Sequence, residues 1–379
     1  MNINTRNLSF VNFNNEEMNW VKFNGVTIYE SWKELIKNGV PPLTIYSKGE
    51  DLIDYKLYGN TVQNGTPTLE VPAEIETVGE KTKNLFNGKW KNGRWSTSTG
   101  DPTSDKTSIQ FESSIVLEPN TTYYVTIPSG KSFYGCLRDI NENEYYSIGL
   151  KSKSFFFNTQ EDLYVFSMFQ YGDTTIPENI QVEKGSTQTE YEPYGCRIPI
   201  KVTNGTEEIT TDIYLSEPLR KLGDYEDYID FTNKKVIRNV AYQLLDGNES
   251  YTDRTSSGGL VNCKFFQLTL PYTILNTTGL SNRFSIINNG LSDVTHLRYY
   301  TGNTYLGVII EHPDVVDTAS FKLWLANNNV DVYYIMKTPI EEDIELPNIP
   351  THKGTTILEV DTTTQPSNLE VVYKGKEVK

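Results

Sequence analysis

Aromatic rings set in polar surroundings are the side chains of this sequence best suited to chemistry. Trp90 and Trp95 lie in Asn87-Gly88-Lys89-Trp90-Lys91-Asn92-Gly93-Arg94-Trp95, with no local apolar neighbours to bury them. Tyr145 and Tyr146, after Asn141-Glu142-Asn143-Glu144, have the same character. Exposed aromatic planes of this kind stack on the apolar C–H faces of sugar rings and leave the hydroxyls to Asn, Asp and Gln. Two readings stay open: these four rings contact glycan, or they fold back over a sheet or fill a subunit interface.

Other chemistries lack a signature. The P-loop pattern, G-x-G-x-x-G and the nucleophile elbow G-x-S-x-G are all absent, so no cofactor is expected. His296, His312 and His352 are far from one another and from any Cys, which predicts no metal site, and His312 before Pro313 reads as a turn. Cys136, Cys196 and Cys263 are an odd number with wide spacing. They read as buried small hydrophobes in a chain made in a reducing cytosol, not as a disulfide framework. Glu341-Glu342-Asp343 and the set Asp224, Glu226 and Asp227 could furnish a glycosidase pair, but both adjoin turns where a solvated acidic face suffices. No catalytic residue is predicted, and the chain is expected to be non-enzymatic.

Charge and hydropathy narrow the partners. Lys and Arg number 34 against 49 Asp and Glu, a net charge of −15 without a basic stripe, which argues against nucleic acid. Apolar runs such as Phe155-Phe156-Phe157 fall far short of the roughly 18–20 residues of a membrane-spanning helix. The stretch from Met1 to Trp20 lacks the apolar core of a secretory signal, so no signal peptide is expected. No Asp-rich calcium loop is visible.

The elements that must position these residues are mostly strands. Period-2 patterns and short apolar bursts alternate with Asn, Gly, Pro, Ser and Thr clusters, as in antiparallel sandwiches. Tyr123 to Ile127 reads as a strand after the turn Glu118-Pro119-Asn120. Leu163 to Phe169 is apolar on both faces, as a strand between two layers should be. Ile180 with Val182, and Leu369 with Val371 and Tyr373, alternate. Two short helices interrupt this pattern. Ser31 and Glu34 form a capping box ahead of Trp32, Leu35 and Ile36, and Thr318 is placed to cap a helix carrying Phe321, Trp324 and Leu325 on one face. The predicted fold is mostly β: tandem antiparallel β-sandwich, jelly-roll-like modules with one or two short helices and a small N-terminal docking piece.

Turn-rich stretches at Gly59 to Lys83 and Gly185 to Pro199 suggest the boundaries. These predict an N-terminal docking segment over 1–59, an extended connector over 60–83, a jelly-roll carbohydrate-binding-like module over 84–195 and a C-terminal β-sandwich over 196–379. The first piece is near the lower size limit for independent folding and is expected to lean on its neighbours or another chain. Trp20, Trp32, Leu35 and Ile36 are its predicted docking residues.

Several segments, in order, resemble minor structural proteins of tailed phages and prophages of Gram-positive bacteria. They are Tyr58-Gly59-Asn60-Thr61 with Asn64-Gly65-Thr66-Pro67-Thr68, Lys83-Asn84-Leu85-Phe86, Asn179-Ile180-Gln181-Val182-Glu183-Lys184-Gly185-Ser186-Thr187, and Glu190-Tyr191-Glu192-Pro193-Tyr194. The likeness continues through Tyr214-Leu215-Ser216-Glu217-Pro218-Leu219-Arg220, Asp224-Tyr225 and Asp227-Tyr228-Ile229-Asp230-Phe231, and from Phe321 through Tyr334 and Thr338-Pro339-Ile340 to Gln365-Pro366-Ser367-Asn368-Leu369-Glu370-Val371. The resemblance implies a tail-tip, baseplate or receptor-binding component, assembled in the host cytoplasm and used in the virion. Implied partners are other tail or baseplate proteins, host cell-wall glycan or a surface receptor, and further copies of the chain as a trimer or higher oligomer. In the matched motifs Pro, Gly and Tyr read as turn and sandwich framework. The alternatives are a purely structural adaptor and a tail-associated or secreted polysaccharide-cleaving enzyme using an Asp/Glu pair.

Overall fold

In the computed structural model the described residues are 22–23, 26–27, 43–48, 55–103, 105–139, 145–161, 164–203, 208–288, 291–347, 355–360 and 371–373. They are mostly β, in several antiparallel sheets. The chain divides into two compact units, one of Glu80–Arg197 with Tyr214–Pro218 and one of Met1–Gly79, Ile198–Ile213 and Leu219–Lys379.

The Glu80–Arg197 unit is a two-sheet sandwich. One sheet runs in the order Tyr145–Lys151, Phe133–Asp139, Tyr164–Gln170, Ile109–Phe111, Trp90–Asn92, with Ile115–Leu117 also paired to Tyr164–Gln170. The other sets Thr122–Thr126 between Phe155–Asn158 and Gln181–Lys184. Alternation divides the faces: Tyr123 and Val125 are buried, whereas Thr122, Tyr124 and Thr126 are not. Phe111, Phe133, Phe166 and Met168 complete this core from the first sheet. Tyr164–Gln170 is buried on both faces, because Phe166 and Met168 enter the core while Phe169 packs on the other side. The turn at Glu118-Pro119-Asn120 is closed by the buried Tyr123, whose hydroxyl accepts the Glu118 N–H at 2.8 Å. Such tyrosine corners pin a strand start to the preceding chain in β-sandwiches.

In the second unit, a six-stranded sheet runs Ile274–Ser281, Val330–Asp343, Lys235–Leu245, Tyr228–Asp230, Tyr55–Tyr58, Val371–Tyr373. A four-stranded sheet runs Tyr251–Asp253, Lys264–Thr269, Tyr305–Ile310, His296–Tyr299. Phe266, Leu297 and Val308 of the latter share a core with Val332 and Tyr334 of the former. The helix Thr318–Asn327 buries Phe321, Trp324 and Leu325, the face expected, and Phe321 stacks on Phe266 at 4.2 Å. Its cap is Asp317 rather than Thr318. The Asp317 carboxylate accepts the Ser320 N–H and the Ser320 hydroxyl accepts the Asp317 N–H, a reciprocal box that places Thr318 inside the helix. A further helical turn, Thr255–Gly258, was not foreseen from the sequence.

The segment expected as an extended connector, 60–83, carries short strands. Thr61–Asn64 and Glu74–Thr77 form an antiparallel hairpin, and Tyr55–Tyr58 pairs with Tyr228–Asp230 inside the second unit. Unpaired strand groups seek a ladder irrespective of distance along the chain. Gly59 follows at a tight passage: a Cβ there would lie 2.6 Å from backbone atoms of Leu219 and Arg220. Near the N-terminus Lys22–Phe23 pairs with Val26–Thr27. The predicted Ser31 helix, Leu163 and Leu369 lie outside the described residues.

A buried charge organises the six-stranded sheet. Lys235–Leu245 has a register shift between Arg238 and Val240 against Val330–Asp343, which frees backbone N–H groups. The fully buried Asp227 carboxylate takes those of Asn239 and Val240 at 2.7 and 2.9 Å, plus that of Arg220 at 3.1 Å. Arg238 stands 3.6 Å from the same carboxylate. Removing one partner of a buried ion pair strands the other. Asp227→Asn is therefore expected to lower the unfolding free energy by about 3–5 kcal/mol in urea titrations.

His296 is 0% exposed; its Nδ1 bonds the Val294 carbonyl at 2.7 Å, and its Nε2 has no partner among the described residues. Burial holds this imidazole below its ordinary value of 6.5. Below that pH the unfolded chain binds a proton that the native ring resists, so stability falls as pH drops from 6.5 toward the native value. Unfolding free energies from urea titrations between about pH 7.5 and 5.5 should decline, with a limiting slope of about 1.4 kcal/mol per pH unit for this one group. The decline should flatten in His296→Gln.

Candidate functional site

The four aromatic residues singled out in the sequence do not converge. Trp90 lies half-buried against Phe86 at 5.3 Å, Phe111 at 5.1 Å and Phe133 at 5.9 Å, on the sandwich core. Trp95 is only 4% exposed, edge-on to Phe169 at 4.7 Å and beside Cys136. Gly93, at φ +123°, lets the chain turn so that Arg94–Trp95, paired with Pro102–Thr103, folds this ring back over the sheet. The Trp95 ring is therefore no stacking platform. Its apolar neighbours Cys136 and Phe169 come from strands remote in the chain, which local sequence does not display.

Tyr145 donates its hydroxyl to the Thr97 carbonyl at 3.2 Å and packs with the Trp95 cluster. Tyr146, its neighbour in Tyr145–Lys151, points to the opposite face and stays 45% exposed against Tyr164. Trp20, Trp32, Leu35 and Ile36 lie outside the described residues.

Of the acidic candidates, Glu226, Asp227, Glu341, Glu342 and Asp343 are engaged in structural contacts. Glu341 and Asp343 meet Lys235 at 2.8 and 3.7 Å, Glu342 meets Arg238 at 3.3 Å, and Glu226 meets Lys221 at 2.8 Å. Cys136, Cys196 and Cys263 are buried, and burial pushes the Cys136 and Cys263 thiols up to about 12. Cys136 and Cys263 therefore stay protonated at neutral pH and are poor nucleophiles. His312 accepts the Asp314 N–H at 3.2 Å within a turn. No cluster of three His, Cys, Asp or Glu suited to a metal occurs among the described residues.

An open groove of about 410 Å³ lies instead on the Glu80–Arg197 unit. Three segments line it, 86–88, 177–180 and 191–194, with Tyr191 and Tyr194 on its surface at 42% and 45% exposure. Phe86, Ile180 and two prolines supply apolar surface; Asn87, Glu178 and Asn179 supply polar groups. Partial burial raises the Tyr191 phenol above its ordinary value.

Buried amides hold these segments together. The Asn84 side chain accepts the Phe86 and Val182 N–H groups at 3.0 and 3.1 Å and donates to the Ile180 and Glu192 carbonyls at 3.2 and 3.1 Å. Gln181 accepts the Glu192 N–H at 2.8 Å and donates to the Glu190 carbonyl at 3.4 Å, so the backbone on both sides of Tyr191 is clamped. Glu183 fixes Thr189 through its N–H at 3.1 Å and its hydroxyl. Asn179 occupies the left-handed region at φ +57°, which Asn tolerates better than most residues.

The chain matches no family model, no curated protein and no solved structure. The groove therefore has to be read from its own chemistry. Two accessible phenol rings over an apolar floor, with amide and carboxylate groups at the rim, can stack one face of a ring-shaped polar ligand and bond its edge. Tyr191 and Tyr194 belonged to a segment read from the sequence as framework. A recognisable signal was present in Glu190-Tyr191-Glu192-Pro193-Tyr194, where neither Tyr has an apolar neighbour other than Pro193.

The burial contrast can be measured. Trp95→Ala is expected to destabilise the protein by about 3–5 kcal/mol, whereas Tyr194→Ala should change stability by less than about 1 kcal/mol, in parallel denaturant titrations.

Proposed function

We propose that this chain is a non-enzymatic attachment protein of a phage tail or baseplate, in which a jelly-roll-like unit contacts host cell-wall glycan. The phage assignment draws on the resemblance of the ordered segments from Tyr58 to Val371. The observation that carries the binding role is the Tyr191 and Tyr194 groove, which offers the stacking surface that the buried Trp95 cannot. Exposed aromatic residues beside amide groups suit sugars because a pyranose is apolar on its faces and polar at its rim. Single sites of this shallow kind bind weakly, and display in several copies on one particle multiplies their effect by about 10²–10⁴.

The test uses fluorescently labelled full-length protein with intact Gram-positive cells of several strains. Strain-selective, saturable binding is expected, reduced at least about tenfold in the Tyr191→Ala/Tyr194→Ala double variant, since loss of stacked rings removes the main apolar contact. Absence of binding to every strain by a folded, multimeric sample would point instead to an internal adaptor.

A further inference from the structure

The polar groups around the groove differ from those of an anion site. Among the described residues no Lys, Arg or His lines it, and its one ionisable acid is Glu178. The nearby cations Lys83 and Arg197 are committed to carboxylates: Lys83 stands 3.7 Å from Glu192, and Arg197 stands 2.6 Å from Glu80 and 3.9 Å from Glu192. Sites for phosphate or carboxylate polymers ordinarily offer guanidinium forks, helix N-termini or nests of backbone N–H groups. Here an incoming anion would meet the Glu178 carboxylate on a chain already carrying a net charge of −15.

An ionised carboxylate is an acceptor only, and it is satisfied by hydroxyl donors. Neutral hexoses and N-acetylhexosamines present such hydroxyls in the ring plane, together with a C–H face that fits a phenol ring. Asn87 and Asn179 add both donors and acceptors for the remaining hydroxyl or acetamido groups. Because Tyr191 is clamped through Glu190 and Glu192, little ordering remains to be done when a sugar stacks on it.

From this arrangement we infer that the groove selects an uncharged saccharide of the hexose or N-acetylhexosamine class and rejects phosphate- and carboxylate-bearing wall polymers. The inference rests on the attachment reading and names the ligand class of that same site.

The experiment is titration calorimetry on the full chain with two probes, the neutral polysaccharide fraction of Gram-positive cell wall and a glycerol-phosphate polymer, at about 50 mM and about 500 mM salt. Binding to the neutral fraction is expected to vary less than about twofold between the two salts, since no charge is neutralised. It should weaken at least about tenfold in Tyr191→Ala/Tyr194→Ala, and about three- to tenfold in Glu178→Gln, which keeps the size and removes the charged acceptor. Circular dichroism and melting temperature, unchanged in both variants, separate these losses from misfolding. Preference for the glycerol-phosphate polymer, with affinity falling steeply as salt rises, overturns the inference. So does neutral binding that survives both tyrosine substitutions. Cell binding without binding to the neutral fraction overturns the inference and leaves attachment standing, whereas failure on cells and on both probes removes the two together.

Discussion

Asn84 is the constraint on which the groove-bearing unit depends. One buried carboxamide satisfies four backbone groups drawn from segments about a hundred residues apart, at Phe86, Ile180, Val182 and Glu192. A backbone N–H or carbonyl taken out of water without a partner destabilises a fold by about 1–3 kcal/mol, so each of these bonds restricts the conformations open to the chain. Because the side chain has donors on one atom and acceptors on the other, it fits only one relative placement of the segments. Gln181 and Glu183 extend the arrangement to residues 189–192. The backbone carrying the exposed Tyr191 is thus held by buried, hydrogen-bonded amide side chains.

The second unit uses the same physical device with a charge in place of an amide. Asp227 supplies the acceptors that a register shift at Arg238 to Val240 leaves wanting, and the guanidinium of Arg238 balances its charge. Arg220, whose N–H also reaches Asp227, lies over the ring of Tyr242 at 5.2 Å. Burial pushes the Asp227 carboxyl above its ordinary value, and three N–H groups together with the nearby guanidiniums pull the other way, toward the charged form. In both units apolar burial supplies the driving force, and buried polar residues choose one register among several that would bury similar area.

The strands were legible because their signal is local. Alternation at Tyr123 and Val125, the two-sided burial of Tyr164–Gln170 and the turn at Pro119 all follow from neighbours within a few residues. The apolar face of the helix Thr318–Asn327 was legible for the same reason, while its start was misplaced by one residue because Asp317 and Thr318 can both cap. Tryptophan exposure was not legible. Trp95 looks isolated in sequence, yet Phe169 and Cys136 reach it across the sheet, and Gly93 turns the chain to meet them. The ladder partner of Tyr55–Tyr58 was not legible either, since it lies far along the chain at Tyr228–Asp230.

By itself, then, the sequence determined the mostly β character, the positions of many turns and strands, the apolar face of one helix and the acidic charge. Each of these depends on the period of the backbone or on composition, quantities that need no knowledge of distant contacts. Tertiary structure alone decided which aromatic rings remain in water and which segments meet in a groove. Tyr191 and Trp95 are both aromatic residues in polar surroundings along the chain, and only remote contacts leave the first exposed, on backbone held by Asn84 and Gln181, and bury the second against Phe169 and Cys136. Exposure is a property of the folded surface, set by what long-range antiparallel pairing brings alongside each ring.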